Sequence, residues 1–182
     1  AAGVMVAFAP FAKWSPHFET DLEVIQDHLD KGGGAVVLSC DGRLKTCEPN
    51  PSHKEVICTL CRSRFRRGME WLRGDHLSHE PFYCLDNDEE AFVESLRLRQ
   101  WRDIDEVRAF RIDGVDIGLA AISSVVSLSR EPFPDVREYS KEIGDNLATA
   151  ATVYFSLARK LPACILTCSP FSTHDSPPCG RH

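Results

Sequence analysis

Four cysteines fall within the 22 residues from Cys40 to Cys61, in the pattern Cys40-x6-Cys47-x10-Cys58-x2-Cys61. Four thiolates around Zn(II) make a closed tetrahedral structural site. A CxxC at the start of a helix supplies two of them, because one helical turn brings both sulfurs to the same side. A structural Zn(II) held by Cys40, Cys47, Cys58 and Cys61 is therefore the expected cofactor. Standard zinc ribbons pair two CxxC units, whereas the first pair here is spread over six intervening residues. The same four residues are also compatible with reduced, partly buried thiols and with disulfide or redox chemistry.

A second group lies near the N-terminus. His17 and Glu19 follow a strand-like run and stand at the expected start of a helix, where backbone N–H groups and the helix dipole favour anionic ligand groups. His17 is the best general-base candidate, with Glu19 beside it; a capping or surface histidine is the plainer alternative. Asp41-Gly42 follows the end of another strand, where ligands bind in open α/β sheets, but Asp-Gly is also a common turn pair. Arg62, Arg64, Arg66, Arg67 and Arg73 put positive charge on and after the Cys61 helix. That charge suits a phosphate, an anionic membrane surface touched peripherally, or simply a solvated helix face. Gly32-Gly33-Gly34 follows a helix and precedes a strand, the reverse of a phosphate-binding loop.

The elements that must position these residues read as β-α-β. Residues 4–9 are apolar and strand-like. Ser15-Pro16 caps a helix whose stripe is Phe18, Leu22, Ile25 and Leu29, Gly32-Gly33-Gly34 ends it, and Ala35-Val-Val-Leu is a second strand. Such a unit favours a parallel sheet with a right-handed crossover. Further on, the spacing predicts a helix over 54–72, a short strand at 82–85, a helix over 89–99 and a strand at 107–112. Residues 118–128 read as either helix or strand. A long helix follows Pro134 with the stripe Tyr139, Ile143, Leu147, Ala150, Tyr154, Leu157 and Leu161. The fold class expected is α/β, a Rossmann-like three-layer domain with a mostly parallel sheet. Its organisation is a lobe over 1–161 and an irregular tail over 162–182 that starts like a strand and dissolves into Ser, Pro, Thr, His and Cys. A doubly wound domain would continue there, so the expectation is of a C-terminus that is incomplete, truncated or frame-shifted.

Of 182 residues, 26% are charged and 43% hydrophobic, ordinary for a chain that buries a core. The net charge of -6 and a pI near 5.6 argue against a general nucleic-acid binder. No apolar run approaches the roughly 20 residues of a membrane span, and no signal peptide is legible at the N-terminus, so a cytoplasmic location is expected. The chain starts Ala1-Ala2-Gly3 and enters a strand at once, which leads to the expectation of an upstream segment.

The run His17-Phe-Glu-Thr-Asp-Leu-Glu-Val-Ile-Gln-Asp-His-Leu, then Val37-Leu-Ser-Cys-Asp-Gly-Arg-Leu-Lys-Thr-Cys and Cys58-Thr-Leu-Cys-Arg, resembles the N-terminal region of bacterial surface-polysaccharide biosynthesis proteins. Those are similar to GT-B glycosyltransferases of capsule and related loci. The likeness covers about residues 4–160, and Ser127-Leu-Ser-Arg-Glu-Pro-Phe-Pro adds to it. It implies an acceptor-side lobe taking a glycan or lipid-linked acceptor, with the nucleotide-sugar donor bound by a second lobe that this sequence lacks. Activity of the lobe alone is not expected. The family's acceptor-activating His or acidic residue would map by position onto His17 or Glu19. The other expectation, from the thiols alone, is a noncatalytic zinc-stabilised α/β interaction module. The oligomeric state is not legible.

Overall fold

The computed structural model describes residues 3–167, with side chains described through residue 162. Contacts divide the chain into two compact units. Among the described residues the first comprises 3–43, Lys54–Cys84 and 156–167; the second comprises Leu44–His53 and Leu85–Phe155.

The first unit is a parallel three-stranded sheet flanked by helices, the Rossmann-like α/β architecture expected. Strands β1 (Val4–Phe8), β2 (Gly34–Ser39) and β3 (Leu77–Pro81) stand in the order β1-β2-β3. The register pairs Val4 with Gly34 and Phe8 with Leu38, then Ala35 with Leu77 and Ser39 with Pro81. The central strand is a continuous apolar run because both of its faces are covered. Ala35 and Val37 pack on one face with Phe18, Ile25 and Leu29 of α1 (His17–Asp30) and with Phe65 of α2 (Glu55–Met69). Two crossovers of the same hand, stepping the same way across a sheet, leave both helices on one side. Gly68 lets them approach closely, since a Cβ there would sit 2.6 Å from the Phe18 ring.

On the other face Leu38 and Phe82 are fully buried, with Phe82 edge-on to Phe8. The second half of α6 (Ser140–Thr167) joins this side. The Ser156 hydroxyl accepts a hydrogen bond from the Cys84 N–H at 3.0 Å, and Lys160 pairs with Glu80. These contacts complete three layers.

Among its described residues the second unit is helical: α3 (Asn87–Leu98), α4 (Ile104–Arg108), α5 (Ile117–Ser129) and α6 as far as Phe155. Asp86 and Glu89 form a capping box at the start of α3. The core holds Leu96, Val107, Ile122, Val125, Ile143 and Leu147. Gly118 abuts the Val107 carbonyl so tightly that a Cβ would lie 1.7 Å from its oxygen. Asp145, 10% exposed, takes hydrogen bonds from Arg97 (2.8 Å) and Lys141 (2.7 Å).

Four expectations need correction or closure. The third strand lies at Leu77–Pro81, ahead of the apolar 82–85; as an edge strand it tolerates the polar sequence Leu-Ser-His-Glu-Pro. Residues 107–112 are not a strand. Asp103 caps the short helix α4 through the Glu106 N–H, and Ile112 and Val115 close a tight turn over Asp113 and Gly114, both at positive φ. Residues 118–128, left open as helix or strand, are helical in α5. The segment after Leu161 is helical to Thr167, with Pro162 inside α6, and not a strand. The remainder of the expected irregular tail, 168–182, lies outside the described residues.

Candidate functional site at the carboxyl end of the first sheet

The strands of the first unit all point the same way, so their carboxyl ends share one edge, where open α/β sheets bind ligands. Order β1-β2-β3 contains no reversal among the described strands. No switch-point crevice marks the site here, and it must be built from the two loops that leave β1 and β2.

The first loop is anchored as it leaves the sheet: the Ala9 N–H bonds to the Leu38 carbonyl at 3.0 Å and Ala12 is buried. A turn follows, with the Trp14 N–H on the Phe11 carbonyl. His17 is then the first residue of α1, exposed, with its ring edge-on to Trp14 at 5.3 Å between centroids. One helical turn further, Asp21 lies within electrostatic reach of His17. Desolvation pushes the Asp21 carboxyl above its ordinary value while His17 pulls it the other way. The pair shares one helix face at i, i+4, with no hydrogen bond or ion pair between the two side chains among the described residues. The sequence carried its signal, His-x3-Asp, yet sequence reasoning did not pick out Asp21.

Glu19 points to different chemistry. Its carboxylate is bonded by the Arg64 guanidinium of α2, and the same guanidinium donates to the Lys13 carbonyl at 3.2 Å. The Arg64 bond is the main cause holding the Glu19 carboxyl below its ordinary value. A carboxylate so held is a weak base, and its geometric effect is to tie the β1–α1 loop to α2.

The second loop is tied in a matching way. Cys40 follows β2, and the Gly42 N–H approaches its sulfur at 3.3 Å. The Arg43 N–H donates to the Asp41 carboxylate at 3.1 Å, so Asp41-Gly42 forms a turn with Gly42 at φ +95°. Arg62 of α2 donates to the Asp41 carbonyl at 2.8 Å and to Glu55 at 2.6 Å, and Arg43 stacks over the Tyr83 ring at 3.8 Å. Two of the five arginines singled out in the sequence thus act as loop ties. The Arg73 backbone exchanges hydrogen bonds with the Gln26 side chain, while Arg66 and Arg67 are exposed.

The four cysteines are thiols. Cys40, Cys58 and Cys61 belong to the first unit; Cys47 belongs to the second, where its backbone pairs with Asn50. Burial pushes the Cys40 thiol up, and the Cys58 and Cys61 thiols are close enough to add to that shift. Gly42, in the turn after Cys40, lies against Cys58 of α2, but the three sulfurs of the first unit are not all within 4.8 Å of one another.

A separate groove of about 510 Å³ runs between α1 and α2, lined by Phe18, Leu22, Arg67, Gly68, Trp71 and Leu72. Trp71 stands 80% exposed at its rim. No described helix is long and apolar enough to cross a membrane. No family model, curated protein or solved structure matches this chain.

Proposed function

We propose that the first unit is the acceptor-side lobe of a glycosyltransferase-like protein of bacterial surface-polysaccharide biosynthesis, taking a glycan or lipid-linked acceptor while the nucleotide-sugar donor is bound elsewhere. The observation that carries this reading is His17, exposed at the carboxyl end of the sheet beside Trp14 and one helical turn from Asp21. An acceptor hydroxyl needs a base that is largely unprotonated near neutrality, which an imidazole supplies. As the hydroxyl oxygen attacks the donor's anomeric carbon, the bond from that carbon to the nucleotide's phosphate oxygen breaks and the nucleotide leaves with the electron pair; the hydroxyl proton passes to the His17 ring, and Asp21 steadies the resulting imidazolium. The Trp14 ring offers an apolar surface for the C–H face of a sugar beside that base. Glu19, committed to Arg64, is the weaker candidate for the base.

Isothermal titration of the chain with oligosaccharides cut from bacterial capsules tests this reading. Saturable binding that weakens at least about tenfold, or about 1.4 kcal/mol, in Trp14→Ala supports it. Heat indistinguishable from buffer dilution across the panel counts against it.

A second reading, a noncatalytic zinc-stabilised interaction module, is favoured by one specific observation: Cys40, Cys58 and Cys61 are neighbouring thiols at the start of α2 and the end of β2. In that reading the metal clamps a loop with few apolar residues, and binding energy to the ion becomes folding energy.

A further inference from the structure

We propose that Cys40, Cys58 and Cys61, the thiols of the first unit, hold a thiophilic divalent cation, Zn(II) above all. This rests on the zinc reading of the four-cysteine segment and narrows its ligand set.

Cys58 and Cys61 are three residues apart on α2, so their Cβ atoms lie on one helix face, about 5–6 Å apart. The third thiol, Cys40, accepts from the Gly42 N–H at 3.3 Å, in a turn that lies against α2. A Cβ at Gly42 would sit 3.8 Å from Cys58 Cβ and 2.6 Å from an Arg62 guanidinium nitrogen, so the turn after Cys40 lies directly on the helix. The backbone of that turn, at φ +95°, is one that residues with a side chain rarely adopt.

Zinc–sulfur bonds of about 2.3 Å in a tetrahedron bring sulfurs to about 3.8 Å from one another. The thiols are half-buried and their sulfurs are not all within 4.8 Å of one another, so coordination requires them to draw together. Binding releases three protons, one from each thiol, and leaves three thiolates and one divalent cation with a net charge of -1. The Arg62 guanidinium, next to Cys40 and Cys58, offsets that charge. Three soft ligands select zinc over magnesium or calcium, and the fourth position goes to water or an added ligand.

The test is titration of the reduced chain with Co(II), read by thiolate charge-transfer and tetrahedral d–d absorption, followed by displacement with Zn(II). The expected result is one ion per chain, with Cys47→Ser indistinguishable from wild type. Cys40→Ser, Cys58→Ser and Cys61→Ser should each lower affinity by more than the about 10–100-fold that loss of an outer-shell partner costs. Alkylation of the unmodified chain with and without Zn(II), mapped by peptide mass, needs no variant to fold: protection at Cys40, Cys58 and Cys61 with Cys47 still labelled supports the assignment. If Cys47→Ser loses the bands as fully as Cys58→Ser, or Cys47 is protected with the others, the three-thiol assignment is overturned while the zinc reading stands. Absence of thiolate bands in the wild-type chain overturns both.

Discussion

The Arg64 guanidinium of α2 holds the Glu19 carboxylate of α1, and that single contact separates the two acid–base candidates at the end of β1. Glu19 is kept ionised and occupied; His17, two residues earlier, keeps an exposed ring. Replacing Arg64 by Leu removes the main cause of the depression, so the Glu19 carboxyl should move up toward 4.5. Carbon-detected NMR titration of the Glu19 side chain measures this. A midpoint unchanged by Arg64→Leu would mean that the ion pair does not form in solution.

Gly42 links the Cys40 turn to α2 through its positive φ and the nearby Arg62. Gly42→Ala should destabilise the chain by about 1–2 kcal/mol from the left-handed backbone alone. Contact with Arg62 should then make the double variant Gly42→Ala, Arg62→Ala less costly than the sum of the singles. Urea unfolding of the four proteins checks both points, and strict additivity would show that the turn does not lean on Arg62.

Asp145 in the second unit carries a pH-dependent share of stability. Burial raises its carboxyl pKa, but the hydrogen bonds from Lys141 and Arg97 outweigh burial and leave it below the ordinary 3.8. A carboxyl depressed in the folded state contributes stability above its unfolded pKa, and that contribution is lost as pH falls through the folded value. Asp145→Asn should therefore cost about 1.5–3 kcal/mol at neutral pH, the range for hydrogen bonds to charged groups, and should flatten the acid limb of the stability curve. Thermal melts from neutral pH down to about the ordinary carboxylate range make the comparison; parallel acid limbs in the two proteins would rule the assignment out.

The Cys40 thiol is shifted the other way, above its ordinary 9.0 by burial. A thiol raised in the folded state deprotonates first in the unfolded chain, so stability should fall as pH rises past 9.0 toward the folded value. Cys40→Ser, whose hydroxyl does not titrate there, should decline less steeply in metal-free melts. Loaded with Zn(II), the wild-type protein should lose this alkaline slope, because a coordinated thiol is already deprotonated.

What the sequence disclosed depended on periodicity. The stripe Phe18, Leu22, Ile25, Leu29 and the unbroken run Ala35–Leu38 announced α1 and β2, because a helix packed on a sheet and a strand buried on both faces each leave a clean pattern. Strand β3 left none, since only Leu77 and Glu80 are half-buried at that sheet edge. Helix α4, five residues long, was too short for a stripe to outweigh its β-compatible neighbours. At the site, His17 and Glu19 were named together from position, but only the Arg64 contact, 45 residues away in sequence, tells them apart. The four cysteines were grouped by spacing; their assignment to two units, Cys47 to the second and Cys40, Cys58 and Cys61 to the first, is a property of long-range contacts that spacing does not carry.

The acceptor-site proposal is tested most directly by the amide and indole N–H spectrum of the isotopically labelled chain during titration with a capsule oligosaccharide. Shifts are expected at the Trp14 indole, at residues 9–17 and 40–43 and at Asp21, with loss of the whole set in Trp14→Ala and a changed pH dependence in His17→Gln. Shifts confined to the α1–α2 groove around Trp71, or to the second unit, or none at millimolar glycan, would contradict it.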